Sequence, residues 1–127
     1  MIEFLYRDKI FCYEGCVGVK GGMVATFVDN REIGICSDKT RPVGFFIQEH
    51  ESQTNNGTIC VLVGQAEFRT DIFEKNTYKI NDFLYCSRRG RITNELKYRG
   101  NIIIGIVNYV TKDHIGLVTC MARGLEN

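Results

Sequence analysis

No apolar run in this 127-residue sequence approaches the roughly eighteen residues that a membrane-crossing helix needs; residues 102–107, among the longest, stop far short. Nor is there an excess of charge of one sign. Sixteen basic residues against fifteen acidic leave a formal net charge of +1, so no global field gathers nucleic acid or anionic lipid, and any such binding has to be local. The first residues lack the basic start, apolar middle and small-residue cleavage site of a secretory leader, which predicts a protein made and kept in a cytosol. With only two histidines, His50 and His114, general bases and imidazole ligands are scarce. The length suits one domain burying about two thirds of its unfolded surface, and two full domains are excluded. What is present is ample material for a core: 44% apolar residues, including eight phenylalanines and six tyrosines, predict a compact globule rather than a disordered chain.

The apolar residues fall in short runs rich in Val, Ile, Phe, Tyr and Thr, bounded by Gly, Asn, Asp and Ser about every ten residues. Candidate strands are residues 2–6, 10–13, 17–19, 23–28, 33–36, 43–49, 58–63, 66–69, 83–87, 102–109 and 115–121. The expected fold is all-β, a small β-barrel or sandwich of about eight to eleven short strands with little or no helix. Turns are expected at Asp29-Asn30, Lys20-Gly21-Gly22, Asn55-Asn56-Gly57 and Arg88-Arg89-Gly90, where residues tolerate positive φ. Residues 48–58 are polar and long enough for an exposed tip. Ile72, Phe73, Ile80, Phe83 and Leu84 fit a helical stripe, but Asn76-Thr77 and Asn81-Asp82 favour turns feeding a strand. An apolar-Gly-apolar pattern occurs twice, at Gly34 then Gly44 and again at Gly105 then Gly116, which suggests bent strands in two similar barrel halves. Residues 1–127 form one domain, with 1–16 open as an N-terminal arm and 17–121 as the β-barrel core.

Six cysteines would suggest three bridges in a secreted mini-protein, but Cys36, Cys60, Cys86 and Cys120 each lie in apolar runs where a reduced cysteine acts as a small hydrophobe. Cys12 and Cys16 have a spacing that suits zinc, yet a second close pair is missing and neither histidine is paired at ligand spacing. The expectation is no metal and no cofactor. Gly18, Gly21 and Gly22 lack the Gly-Lys-Ser/Thr ending of a phosphate loop. Asp29 with Glu32, Glu49 with Glu51, and Asp71 with Glu74 are paired carboxylates beside turn residues, where solvated acids are ordinary; no catalytic residue is assigned. Cysteine catalysis would need His50 or His114 beside a thiol. Arg88, Arg89 and Arg91, near Lys97 and Arg99 and interleaved with Tyr85 and Tyr98, form the one marked charge concentration. They suit a single-strand-binding barrel, although a solvated hairpin tip fits the near-zero net charge better. Phe4, Leu5, Tyr6, Phe11 and Tyr13 suit either a first core strand or an arm docking on another protein.

Residues 78–93, then 101–107 and 114–118, resemble the small β-barrel decoration, or cement, proteins of tailed-bacteriophage heads. The shared run is a Tyr, a turn, an apolar pair with Tyr, a Gly-containing hairpin, an apolar-Gly-apolar-Val strand and a terminal Gly-Leu strand. Arg41-Pro42-Val43-Gly44-Phe45 resembles the family's strand start, and Asn81 stands where the family commonly has Gly, a departure that still allows positive φ. The likeness covers about residues 33–118 and consists of turn-and-strand patterns rather than chemistry. It implies a non-enzymatic virion structural protein on the capsid surface, made in the host cytoplasm. Such a protein is often a homotrimer and clamps subunits of the major capsid protein, with no membrane partner and nucleic acid disfavoured. Family members often touch the shell through an N-terminal arm, which makes Phe4, Tyr6, Phe11 and Tyr13 the candidate partner-binding residues.

Overall fold

The computed structural model describes residues 2–7, 10–14, 18–30, 32–47 and 58–120, with side chains described for 2–5, 18–30, 32–47 and 60–120. Among these residues the chain is all-β, as its periodicity predicts. Eleven strands follow in order: β1 (Ile2–Arg7), β2 (Ile10–Glu14), β3 (Val24–Asp29), β4 (Glu32–Ile35), β5 (Gly44–Phe46), β6 (Thr58–Leu62), β7 (Ala66–Thr70), β8 (Phe83–Cys86), β9 (Ile92–Thr93), β10 (Gly105–Val110) and β11 (Ile115–Thr119). A single 3-10 turn, Arg88–Gly90, separates β8 from β9. The ambiguous segment before β8 contains no helix. There the Tyr78 hydroxyl donates to the Glu74 carbonyl at 2.6 Å, and Asn81 takes φ +77° while its amide donates to the Val107 carbonyl at 2.8 Å. Asparagine is among the few side chains that tolerate this left-handed conformation.

The strands divide into two sheets. Five close into a ring in the order β2-β4-β3-β5-β6, and six form an antiparallel sheet in the order β1-β7-β11-β10-β8-β9. Among the described residues the ring is unevenly sealed: β2 pairs with β6 over five register pairs, Ile10↔Leu62 to Glu14↔Thr58, but meets β4 through the single parallel pair Glu14↔Glu32. The barrel is therefore confined to residues 10–62, and the chain from β7 onward joins β1 in the open sheet. Residues 2–7 and 10–14, which the sequence leaves open as an arm, are paired strands, β1 against β7 and β2 against β6. Of the expected strand at 17–19, residue 17 lies outside the described residues and Val19 is buried inside the ring. The polar stretch 48–57 also lies outside them.

The main core lies where ring meets sheet. Val24, Cys36, Phe45 and Leu62 from the ring side pack with Phe68, Leu84, Ile92, Val107, Ile115 and Leu117 from the sheet side. Phe68 joins the two, its ring 5.0 Å from that of Phe45 and edge-on to it. A smaller cluster of Val19, Ala25, Ile33, Phe46 and Val61 fills the ring itself. The repeated glycine pattern has a packing cause rather than a symmetric one. A Cβ on Gly44 would press on the Leu62 carbonyl and lie 2.6 Å from Val61 Cγ1, and one on Gly105 would lie 2.6 Å from Leu117 Cδ1. Both glycines let strands approach closely. The two copies are not equivalent barrel halves: β10 and β11 pair directly, whereas β4 and β5 flank β3, and the copies occupy different sheets.

Candidate functional site

Side chains alternate along β8, β10 and β11 because successive residues of a strand point to opposite faces. Leu84, Val107 and Leu117 face the core, which turns Phe83, Ile106 and Val118 to the outside. The register pairs Ile106 with Phe83 on one side and with Val118 on the other, so the three form a continuous apolar row across three strands. Phe83 is 50% and Val118 42% exposed. The next row is Tyr109, Gly116 and Arg69. With no side chain on Gly116, where a Cβ would lie 2.7 Å from that of Tyr109, Arg69 lays its guanidinium over the Tyr109 ring at 3.8 Å. Arg69 Nε is buried without a hydrogen-bond partner, and the ring face lies under this cation. Asn108 donates to Glu67 at 2.8 Å on the same face. The result is an apolar band flanked by fixed polar groups, an arrangement suited to a protein partner.

A second feature is a cleft of about 430 Å³ where the turn after β4 approaches the β8–β9 region. It is lined by three carboxylates, Asp38, Glu74 and Glu95, and three cations, Lys75, Arg88 and Lys97, with Cys86 also in its wall. Lys97 pairs with Asp38 at 3.2 Å, and Glu74 accepts from the Ser87 hydroxyl at 3.0 Å and pairs with Arg91 at 3.7 Å. Behind the wall lies Cys36. The Cys86 thiol, hydrogen-bonded to the Cys36 sulfur, holds Cys36 below the ordinary thiol range, assisted by Thr40 and opposed by burial and by Asp38. Cys86 is pushed up by the same hydrogen bond and by burial.

Arg88, Arg89 and Arg91 do come together, bordering with Glu74 a smaller depression of about 260 Å³. Glu74 answers Arg91 there. Arg89 itself holds φ +58°, so the hairpin tip is built on a left-handed arginine rather than on glycine alone. Tyr98 has Lys97 beside it, whose ammonium is 5.8 Å from its ring.

Of the residues read as an arm, Phe4 packs against the main core with its ring 5.7 Å from Phe68. Tyr6, Phe11 and Tyr13 occupy strand positions in β1 and β2, and their side chains lie outside the described residues. His114 sits in the β10–β11 turn, bonded through its amide to Thr111, and does not line the thiol cleft; His50 lies outside the described residues. The carboxylate pairs separate into local roles: Asp29 caps the Asn30 amide at 2.7 Å and Glu74 serves Ser87 and Arg91, while Glu49 and Glu51 lie outside the described residues. Among the described residues no three His, Cys, Asp or Glu side chains gather as a metal site. Cys60 corrects the expectation of a reduced thiol. It is disulfide-bonded, half-buried, and faces Cys12 across the β2–β6 register, a proximity that only strand pairing creates. Sequence reasoning missed both the outward row and the thiol pair. Alternation along each strand was visible, but which face is outward follows from where the ring docks. Comparison with known proteins finds no family model and no curated protein that matches the chain.

Proposed function

We propose that the protein is a non-enzymatic architectural protein, a virion component that binds the assembled head of a tailed bacteriophage and clamps neighbouring subunits of the major capsid protein. The observation that carries this is the Phe83, Ile106 and Val118 row, a band of apolar side chains on the outer face of the open sheet, exposed at Phe83 and Val118 and flanked by the Arg69 and Tyr109 pair. Exposed apolar rows with polar rims are what protein interfaces use as their cores. The resemblance of residues 33–118 to head decoration proteins supplies the partner, and the all-β fold agrees with that resemblance. Such a clamp works as a closed homo-oligomer, a trimer, because a symmetric unit can seat identical faces on a symmetric shell.

Purified protein is incubated with heads assembled from the major capsid protein encoded alongside it and is then sedimented. The expected result is saturable binding at a fixed ratio that persists in high salt and is lost in a Phe83→Asp, Val118→Asp double variant, whose changes are at exposed positions. Native mass spectrometry is expected to give a trimer. Failure to sediment with heads, combined with capture of a single-stranded oligonucleotide that weakens steeply with salt and needs Arg88 and Arg91, would overturn the proposal in favour of a nucleic-acid module.

A further inference from the structure

Two hollows lie beside the β8–β9 turn, and the outward row of Phe83, Ile106 and Val118 lines neither of them. They are continuous, because Glu74 and Arg88 belong to the walls of both the 260 Å³ depression and the 430 Å³ cleft. In the depression three guanidiniums share one carboxylate, which leaves two positive charges. That carboxylate, Glu74, is already engaged, accepting from the Ser87 hydroxyl at 3.0 Å and lying 3.7 Å from Arg91. Among the described residues no carboxylate comes within ion-pair distance of Arg88 or Arg89. The turn that carries them is pinned, since the Ser87 amide donates to the Arg91 carbonyl and the Gly90 amide to the Cys36 carbonyl, each at 2.7 Å. Gly90 holds φ +69°, and a Cβ there would lie 3.0 Å from Ile35 Cγ2 and 3.1 Å from the Val24 carbonyl oxygen, so the turn sits hard against the ring. Arg89, next to it, holds φ +58° and ψ +33°, a left-handed conformation that glycine or asparagine fills more readily. Backbone held in this way gathers at ligand clamps.

We propose that the two hollows form one binding site for a small sugar phosphate, its phosphate seated among Arg88, Arg89 and Arg91 and its hydroxylated body lying in the cleft. A phosphomonoester carries close to two negative charges at neutral pH, which matches the charge left over in the depression. Guanidiniums suit its oxygens because their planar forks donate hydrogen bonds in pairs. The adjoining cleft is balanced, three carboxylates against three cations, so it suits a body that is polar but uncharged. Its carboxylates accept hydrogen bonds and its cations donate them, the mixture that a set of hydroxyl groups needs. Asn76 Nδ2 donates to Glu95 and to Asn94 at 3.0 Å, which fixes the Glu95 carboxylate in the cleft wall. Among the described residues no aromatic side chain lines either hollow, so a nucleobase has no platform on which to stack.

Isothermal titration calorimetry of the full chain tests this with glucose 6-phosphate, inorganic phosphate, glucose and adenosine monophosphate as probes. The expected result is saturable binding of glucose 6-phosphate. Inorganic phosphate competes for the same site about tenfold more weakly, because it makes none of the cleft's hydrogen bonds, and glucose alone gives no heat of binding. Arg88→Gln and Arg89→Gly are each expected to weaken binding by about tenfold or more, since each removes a charge-assisted hydrogen bond. Arg89→Gly does so without lowering the melting temperature, because glycine accepts the left-handed turn, and this separates a lost ligand contact from a damaged fold. Absence of saturable heat with glucose 6-phosphate, or binding unchanged in both variants, would overturn the proposal. Adenosine monophosphate binding more tightly than glucose 6-phosphate would overturn it in favour of a site that reads a base, and inorganic phosphate binding as tightly would overturn the part given to the cleft. The four titrations of the unsubstituted protein decide this even where a variant does not fold, and head binding is read separately by sedimentation.

Discussion

Asp82 organises the turn into β8. Its carboxylate accepts from the Lys79 amide at 2.9 Å and from Asn94 Nδ2 at 3.0 Å, and these bonds, the Asn94 bond first, hold it below the usual carboxylate range. A depressed folded pKa means that the stabilisation is fully present above the unfolded value, near 3.8, and is lost as pH falls through the folded value. Asp82→Asn is therefore expected to lower the melting temperature at neutral pH and to match the parent in strong acid. Melting curves from about pH 6 down to about pH 2.5 check this, and a gap that stays constant throughout would remove Asp82 from the account. The role of this residue was partly legible in the sequence, since Asn81-Asp82 reads as a turn. Its partner Asn94 was not, because β9 had gone unrecognised.

At the scale of elements, legibility followed length. β3, β8, β10 and β11 carry enough alternation to be read from the chain, whereas β9 has two residues and no period to detect. β9 exists because Ile92 is fully buried and bonded on two sides, to Cys86 in β8 and by a parallel bridge to Phe73. Tertiary packing makes that strand, and sequence pattern does not. The join between the sheets depends on β7, whose Phe68 is fully buried and touches Phe45 from the ring and Phe4 from β1. Truncation there deletes contacts on both sides at once. Phe68→Ala is expected to cost about 3–5 kcal/mol in denaturant unfolding, at the upper end for large-to-small core changes. A loss below about 1 kcal/mol would show that the two sheets hold together without it.

Across the whole molecule, the core is shared rather than divided, since the largest apolar cluster takes residues from ring and sheet alike. Neither unit buries its apolar face alone, so the chain is expected to unfold in one cooperative transition, with near-ultraviolet and far-ultraviolet dichroism coinciding. Two separated transitions would mean that the ring folds by itself around its smaller cluster. The sequence made the class of fold plain, because strand periodicity is local. It left open which strands share a sheet and which cysteines face each other, because those depend on pairing between distant positions such as 12 and 60.

The uneven seal of the ring sets where it gives way. Among the described residues five register pairs hold β2 to β6, but one pair of facing glutamates holds β2 to β4. Local openings follow the weakest line of hydrogen bonds, so the ring behaves as a clasp hinged along β2–β6 and latched at Glu14 and Glu32. Amide protons at the latch are the first to exchange with water. An edge exposed by such an opening is also where a foreign strand would find unpaired backbone to join.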